Sequence, residues 1–475
     1  MQLIDNDLKS LQEARIVSET ARDSFGMLKG YSQDELNLTL KKVIDDLTKI
    51  LPDLLKLEYA NKSIGSCEDK LDLYNQFIEL YKKNIDNEKI IGPLLFNDKD
   101  QIEKMGMPLG PVVTLLPIEN TVLYSVYALL IAIKSGNTLV LVPHPKVSSI
   151  SSKIYPQIQL ICTNAGLPQG FLGYMNNVTF NGVKELTASS KISAVINVGC
   201  AEYYDQINIP SKPAFYAETG STPVFIQKTA NIAKASSQII KSRAFDNGLA
   251  PASEQFVVAE SSISEDVRTQ LINDGAYFMN KEEEAKLRQS LFRNGVGVSE
   301  ECIGKTAKWI ANRSGFSIPD DALVLVSEQP YIFEDDPFAV KLKCPIMAFY
   351  KEPDWRHACE KCIHLLKEKR NGHTLVIHSK DDKIIREYAI QKPVGRMIVN
   401  DGAYLAGLGI GSSFPLSMFL GGQTTGRGCT AKNIVAEDLT YQRMIYYNND
   451  ENVLSDDKNF EEDVLKKFLN KILEN

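Results

Sequence analysis

Residues 112–142 read VVTLLPIENTVLYSVYALLIAIKSGNTLVLV: a short β-branched run, a polar loop, a longer apolar segment closed by Ser135-Gly136, and a second short β-branched run. The pattern predicts a strand from Val112 to Leu116, a buried helix from Thr121 to Ile133 and a strand from Thr138 to Val142. Strands this uniformly apolar are covered on both faces, as in a parallel sheet between helix layers, so the stretch reads as α/β. Ligands in such sheets bind outside the carboxyl ends of the strands.

Upstream, the first ninety or so residues are helical in pattern. Ser32 and Glu35 have the spacing of a capping box, and Leu36, Leu40, Val43, Leu47 and Ile50 recur at helical intervals until Pro52, which is expected to end or kink the run. Downstream the alternation continues. Ser148 to Asn164 is a helix closed near Gly166, Ile192 to Val198 and Ala214 to Phe225 supply strands, and Ile232, Ala235, Ile239 and Ile240 mark a further helix. A second alternation runs from Phe256-Val-Val-Ala259 through Ala322 to Val326 and Leu375 to His378, ending around Met397 to Asn400. A glycine-dense stretch follows between Tyr404 and Thr430, and the tail from Asn459 to Leu473 carries Phe460, Val464, Leu465, Phe468 and Leu469 at helical spacing.

The chain has 475 residues, 44% hydrophobic and 24% charged, with a formal charge of -7. These values exclude disordered, collagen-like and coiled-coil classes and suggest two or three domains. Sixty acidic against 53 basic residues, with no long basic run, argue against nucleic acid as a partner and leave small molecules. The longest apolar run falls short of the roughly 20 residues that cross a bilayer, so no membrane association is expected. Eight scattered cysteines without an N-terminal basic-then-apolar pattern point to the cytoplasm.

No G-x-G-x-x-G follows a strand in the first half, and no G-x-x-x-x-G-K-[ST] occurs. The strand ends at Pro143-His144-Pro145-Lys146 and Val198-Gly199-Cys200 are where a nucleotide would be held, unless each is only a tight turn. Asn120, before the apolar helix, is either an N-cap or a side-chain amide available to a developing oxyanion. His357-Ala-Cys359-Glu-Lys-Cys362-Ile-His364 invites a zinc reading, but on a helix its cysteines and histidines point opposite ways and cannot converge on one ion. No metal site is expected there, and the cysteines are read as a core-facing pair.

Phe245-Asp-Asn-Gly248-Leu-Ala-Pro-Ala-Ser253-Glu254-Gln255 closely resembles the active-site segment of the CoA-acylating aldehyde dehydrogenases, which include the aldehyde-dehydrogenase halves of bifunctional aldehyde/alcohol dehydrogenases and the microcompartment enzymes. Glu68-Asp69-Lys70, Gly110 with Pro117 and Asn120, Pro143-His144-Pro145, Gly220-Ser-Thr-Pro223, Pro337-Phe338, Gly372-His373-Thr374 and Thr425-Gly426-Arg427-Gly428 follow in the family's order over roughly residues 10–445. The resemblance implies a Rossmann-type cofactor domain that needs no glycine fingerprint, an α/β catalytic domain and a small oligomerisation element. It divides the chain into N-terminal helices and cofactor domain at 1–240, catalytic domain at 241–415, return to the cofactor domain with an oligomerisation strand at 416–450, and a helical tail at 451–475. It also implies NAD or NADP as cofactor, an aldehyde or acyl-CoA as small-molecule partner with CoA as a substrate, and a homo-oligomer.

In that family a cysteine two residues before the Ser of Ala-Ser-Glu-Gln attacks the aldehyde, hydride passes to the nicotinamide, and CoA takes the acyl group. Here the position is Pro251, which has neither a nucleophilic atom nor a backbone N–H. Cys200 and Cys302, the nearest in sequence, are candidate substitutes or small apolar fillers. Lys341 stands where the family has a glutamate holding the nicotinamide ribose, and Arg427 where microcompartment members have a glutamate. Asn120 matches the oxyanion-stabilising asparagine. His373 matches an active-site histidine, its alternative being a buried hydrogen-bonded one. The implied cofactor contacts are Pro143, His144, Gly199, Gly220 and Lys341. Three functions follow: an oxidoreductase weak or inactive in thioester chemistry; an altered member that binds nucleotide or CoA as sensor or non-catalytic subunit; and a reductase of carbonyls or imines using NAD(P) without covalent catalysis, with His373, Asn120 or Tyr216 as acid or oxyanion donor.

Overall fold

The structure, a computed structural model, describes residues 5–97, 102–200, 212–217, 221–292, 298–333, 336–367 and 372–447. The tail from Asn459 to Leu473 and Gly220 lie outside them.

The chain opens with the helices Asn6–Leu28, Gln33–Lys62 and Cys67–Asn84. The Ser32–Glu35 capping box forms in both directions, with Ser32 N–H donating to Glu35 Oε2 (2.8 Å) and Glu35 N–H to Ser32 Oγ (3.3 Å). Pro52 does not end this helix, which runs ten residues further to Lys62. Leu51, Leu54 and Leu55, all buried, hold the chain helical on both sides of the missing hydrogen bond.

Among the described residues the strands form three sheets. The first is parallel, in the spatial order Leu172–Tyr174, Leu139–Val142, Val112–Leu115, Ala194–Asn197, Ala214–Tyr216. Its three central strands are buried throughout, and so is the whole helix Thr121–Lys134. The second is a seven-stranded parallel sheet, ordered Ala276–Phe278, Val324–Glu328, Ile346–Glu352, Glu254–Glu260, Thr222–Ile226, Thr374–His378, Arg396–Val399. The run from Ala214 to Phe225 is thus divided between the two sheets.

Alternate residues of the seven-stranded sheet feed two cores. Val224, Ile226 and Val257 join one, Phe225, Phe256 and Val258 the other, as a sheet covered by helices on both faces requires. The third sheet is antiparallel, with Ile102–Pro108 between Gly92–Asn97 and Thr440–Tyr446. Among the described residues no helix is long and apolar enough to cross a membrane.

Candidate active site

The singled-out residues fall at opposite strand ends in the two parallel sheets. The five-stranded sheet presents carboxyl ends: the loop to Asn120 after Val112–Leu115, Pro143 after Leu139–Val142, and Gly199 after Ala194–Asn197. The seven-stranded sheet presents the residues that enter its strands: Pro251 before Glu254–Glu260, Cys344 before Ile346–Glu352, and His373 before Thr374–His378. The carboxyl-end rule therefore describes the first sheet and not the second.

Residues 245–248 form a tight turn in which Asp246 (φ 50°), Asn247 (φ 53°) and Gly248 (φ 81°) are successively left-handed. A side chain at 248 is impossible, because its Cβ would stand 2.5 Å from the Cys344 carbonyl carbon. Asp246 anchors the turn. Its Oδ1 accepts from Lys70 Nζ (2.5 Å) and from Ser66 N–H (2.7 Å), and its own N–H donates to Asp69 Oδ2 (2.8 Å). Burial pushes the Asp246 carboxyl up, against the pull of Lys70 and the Ser66 N–H. The Glu68-Asp69-Lys70 and Phe245-Asp-Asn-Gly248 motifs are thus the two halves of one contact.

Pro251 is buried in a turn closed by the Ser253 N–H donating to the Ala250 carbonyl (3.1 Å), which puts proline at the second turn position that its fixed φ favours. Thr222 holds the turn from the neighbouring strand, its hydroxyl donating to Ala252 O (2.8 Å) and its N–H to Ser253 O (3.1 Å). Beneath lies Arg243, 1% exposed, which donates to Ser253 Oγ (3.0 Å), Gln255 Oε1 (3.3 Å), Cys344 O (2.5 Å) and Ile346 O (3.1 Å). Burial lowers this guanidinium to about 10.

The structure brings a cysteine to this turn that proximity along the chain does not suggest. Cys344, not Cys200 or Cys302, has its backbone against Gly248. It is fully buried, and burial pushes its thiol up to about 12. Cys302 sits in the same apolar core as Cys344, and Cys200 is sunk among Ala14, Leu115, Val142 and Leu186, its N–H donating to Asn197 Oδ1 (2.8 Å). Both pack as apolar fillers.

Asn120 stands at the N-cap of Thr121–Lys134, yet it is left-handed (φ 55°) and its side chain makes no capping bond. Glu58 of the Gln33–Lys62 helix supplies the cap, its Oε1 accepting the Val122 N–H (3.0 Å). Burial raises the Glu58 carboxyl. Among the described residues Asn120 Oδ1 is buried without a hydrogen-bond partner, and Asn120 lines a narrow cleft with Glu58, Lys62, Ile118, Val147 and Ile154. The neighbouring Glu119, fully buried, pairs with Lys343 Nζ (2.5 Å), which ties the Asn120 loop to the segment touching Gly248.

His373 is 1% exposed. Its Nδ1 lies 2.7 Å from Thr374 Oγ1 and 3.0 Å from Arg396 Nη1, and since a guanidinium only donates, Nδ1 is the acceptor. His373 is thus buried and hydrogen-bonded through Nδ1. Tyr216, buried at the edge of the five-stranded sheet, accepts from Arg427 Nη1 (2.8 Å), and the same guanidinium lies over its ring. His144 is half-buried and caps a short turn, its Nδ1 accepting the Lys146 N–H (3.2 Å). Pro143 is buried, Lys341 half-buried. Gly199 has φ 75°, and among the described residues nothing lies within 4 Å of where its Cβ would stand. A left-handed glycine at a parallel-strand carboxyl end suits the close approach of a nucleotide.

The Trp355–Lys367 helix buries Cys359 and Cys362, and leaves His357 exposed and His364 half-buried. Among the described residues no group of His, Cys, Asp and Glu has a metal-binding arrangement. Sequence reasoning missed Arg243, Lys343, Glu119, Glu58 and Cys344. Only Lys343 and Cys344 carried a hint, by following Pro337-Phe338. The others look like ordinary helix or loop residues until burial makes their partners matter.

Comparison with known proteins agrees with this architecture. The aldehyde dehydrogenase family profile matches residues 7–282. The succinate-semialdehyde dehydrogenase (acetylating) of Clostridium kluyveri is 27% identical over 447 residues, 92% of this chain and 96% of that protein. The bifunctional aldehyde-alcohol dehydrogenase of Escherichia coli is 27% identical over 82% of this chain, which spans 44% of its length. Among solved structures, an acetylating aldehyde dehydrogenase from Geobacillus thermoglucosidasius superposes with a TM-score of 0.89 at 30% identity, covering 95% of this chain and all of that one. With the fold, the paired motifs and the profile in agreement, this chain belongs to the aldehyde dehydrogenase family.

Proposed function

We propose that this chain is an acylating-type aldehyde dehydrogenase scaffold that binds nucleotide or CoA but does not form the acyl thioester, and that it serves as a sensor or as a non-catalytic subunit, self-associating as a homo-oligomer. The observation that carries this reading is Pro251. The family's nucleophile belongs at that position, and Cys344, whose backbone lies against Gly248 three residues earlier, keeps a buried thiol held up to about 12. Lys341 at the expected ribose-binding glutamate, and Arg427 engaged with Tyr216, depart from the pattern in the same direction.

The nucleotide side fits better than the catalytic side. The strand ends at Gly199, Pro143 and His144 would hold NAD or NADP, which in a relative with the nucleophile would accept hydride. Asn120 keeps an amide free of capping duty in its cleft, which suits a bound carbonyl or thioester oxygen. Tyr216 and His373 are taken up by arginines, which weighs against the non-covalent reductase.

Incubation with NAD or NADP, CoA and a panel of short aldehydes, followed by nicotinamide absorbance and acyl-CoA detection, tests the catalytic half. No turnover is expected; robust acyl-CoA formation that disappears in Cys344→Ala would overturn the reading. Calorimetric titration with NAD, NADP and CoA tests the binding half. Binding of at least one is expected, and silence from all three would remove the sensor and subunit roles.

A further inference from the structure

Helices Trp355–Lys367 and Asp382–Gln391 cover one face of the seven-stranded sheet, contributing Cys359, Cys362, Leu366, Ile384 and Tyr388 to a single core. Just past the second helix, Lys392 turns inward and is 6% exposed. Its ammonium lies 4.2 Å from the centre of the Tyr388 ring and donates to Cys359 Sγ. Cys359, 3% exposed, directs its thiol toward Gln391 Oε1 (3.2 Å). Among the described residues the thiol and the ring are the partners of this ammonium, and neither is an anion in its ordinary form. An ammonium taken out of water without a carboxylate is costly, and a ring face offsets only part of that cost. The arrangement that results holds an amine nitrogen against a sulfur atom, the two groups 33 positions apart in the chain.

We propose that Cys359 and Lys392 form an oxidative cross-linking site, in which peroxide converts the thiol to a sulfenic acid and the lysine amine closes on the sulfur to give a sulfenamide. In the first step the peroxide O–O bond breaks, sulfur loses two electrons and gains the hydroxyl, and one water leaves. In the second the deprotonated Nζ forms the S–N bond, the S–O bond breaks, and hydroxide departs as water with the second nitrogen proton. Thiol, amine and hydrogen peroxide thus give sulfenamide and two waters. Held together beforehand, the two groups react at high effective concentration, which favours closure over further oxidation. Cys362 lies on the next turn of the same helix, but burial pushes its thiol up to about 12 and keeps it protonated. The new bond would fasten the two helices at the point where the chain enters Arg396, the residue holding His373.

Treatment of the full chain with hydrogen peroxide, followed by intact mass measurement and tryptic mapping, tests this. The expected product is about 2 Da lighter, reverts with dithiothreitol, and yields the Cys359 peptide joined to the one containing Lys392. Trypsin cuts after Lys361 and so separates Cys359 from Cys362, distinguishing this link from a disulfide between them. The cross-link is expected to persist in Cys362→Ser and to be lost in Lys392→Arg and Cys359→Ser. Recovery of Cys359 from the treated native protein as a free thiol or sulfinic acid, or a link to Cys362 instead, would overturn the proposal, and the wild-type map alone decides between these outcomes.

Discussion

Lys70 and Asp246 form an ion pair at 2.5 Å in which both side chains are 4% exposed, joining the third helix to the turn that leads into Pro251. Because the Ser66 N–H shares the same carboxylate, the pair sits in a satisfied network and not in bare hydrocarbon. Removing one partner leaves a buried charge uncompensated. Lys70→Met is expected to cost about 3–5 kcal/mol in urea unfolding, and Lys70→Met with Asp246→Leu to recover part of that loss.

Native-state thiol chemistry separates the cysteines by environment. Cys429 is exposed, whereas burial pushes Cys162, Cys344 and Cys362 up to about 12. Alkylation with iodoacetamide followed by peptide mapping should label Cys429 first and those three only after unfolding. Rapid native labelling of Cys344 would contradict the proposed loss of the nucleophile.

Two buried groups give stability opposite slopes with pH. Burial raises Glu254 from 4.5 to about 7, so the folded chain binds an extra proton between those values; stability is full below pH about 4.5 and falls by about 3 kcal/mol as pH rises to 7. Burial lowers His378 from 6.5 to about 4, so its contribution is full above pH 6.5 and is lost as pH falls toward 4. In wild type the two slopes therefore largely cancel between about pH 4.5 and 6.5, and Glu254→Gln should unmask a rise in stability over that range, measured as the urea midpoint at each pH.

Glu58, not Asn120, caps the helix Thr121–Lys134. Asn120→Gly should change the melting temperature little, since it removes no capping bond and relieves a left-handed residue. Glu58→Leu should cost about 1 kcal/mol, the usual effect of losing a cap. The reverse ranking would mean that the asparagine is structural.

Much of the scaffold was legible because local patterns carry it. The Ser32–Glu35 cap, the apolar strands at 112–115 and 139–142, and the helix Ser148–Asn164 follow from spacing alone. Pro52 does not end its helix because its local penalty is outweighed by the buried leucines around it. Within the candidate site, Pro251 was visible by position, but the approach of Cys344 to Gly248 was not, since Cys344 arrives from the entrance of another strand.

The sequence by itself determined the α/β alternation, the family scaffold and the proline at position 251, because periodicity and motif order are properties of neighbours along the chain. Only the tertiary structure decided that Asn120 is released from capping by Glu58, that Lys343 reaches Glu119, that Arg243 grips a carbonyl 101 positions away, and that Lys392 meets Cys359. These partners are set by which strand ends the sheet order brings to one edge and which helices share one face. Burial then makes each pairing matter, since a polar group removed from water must find its partner within the fold.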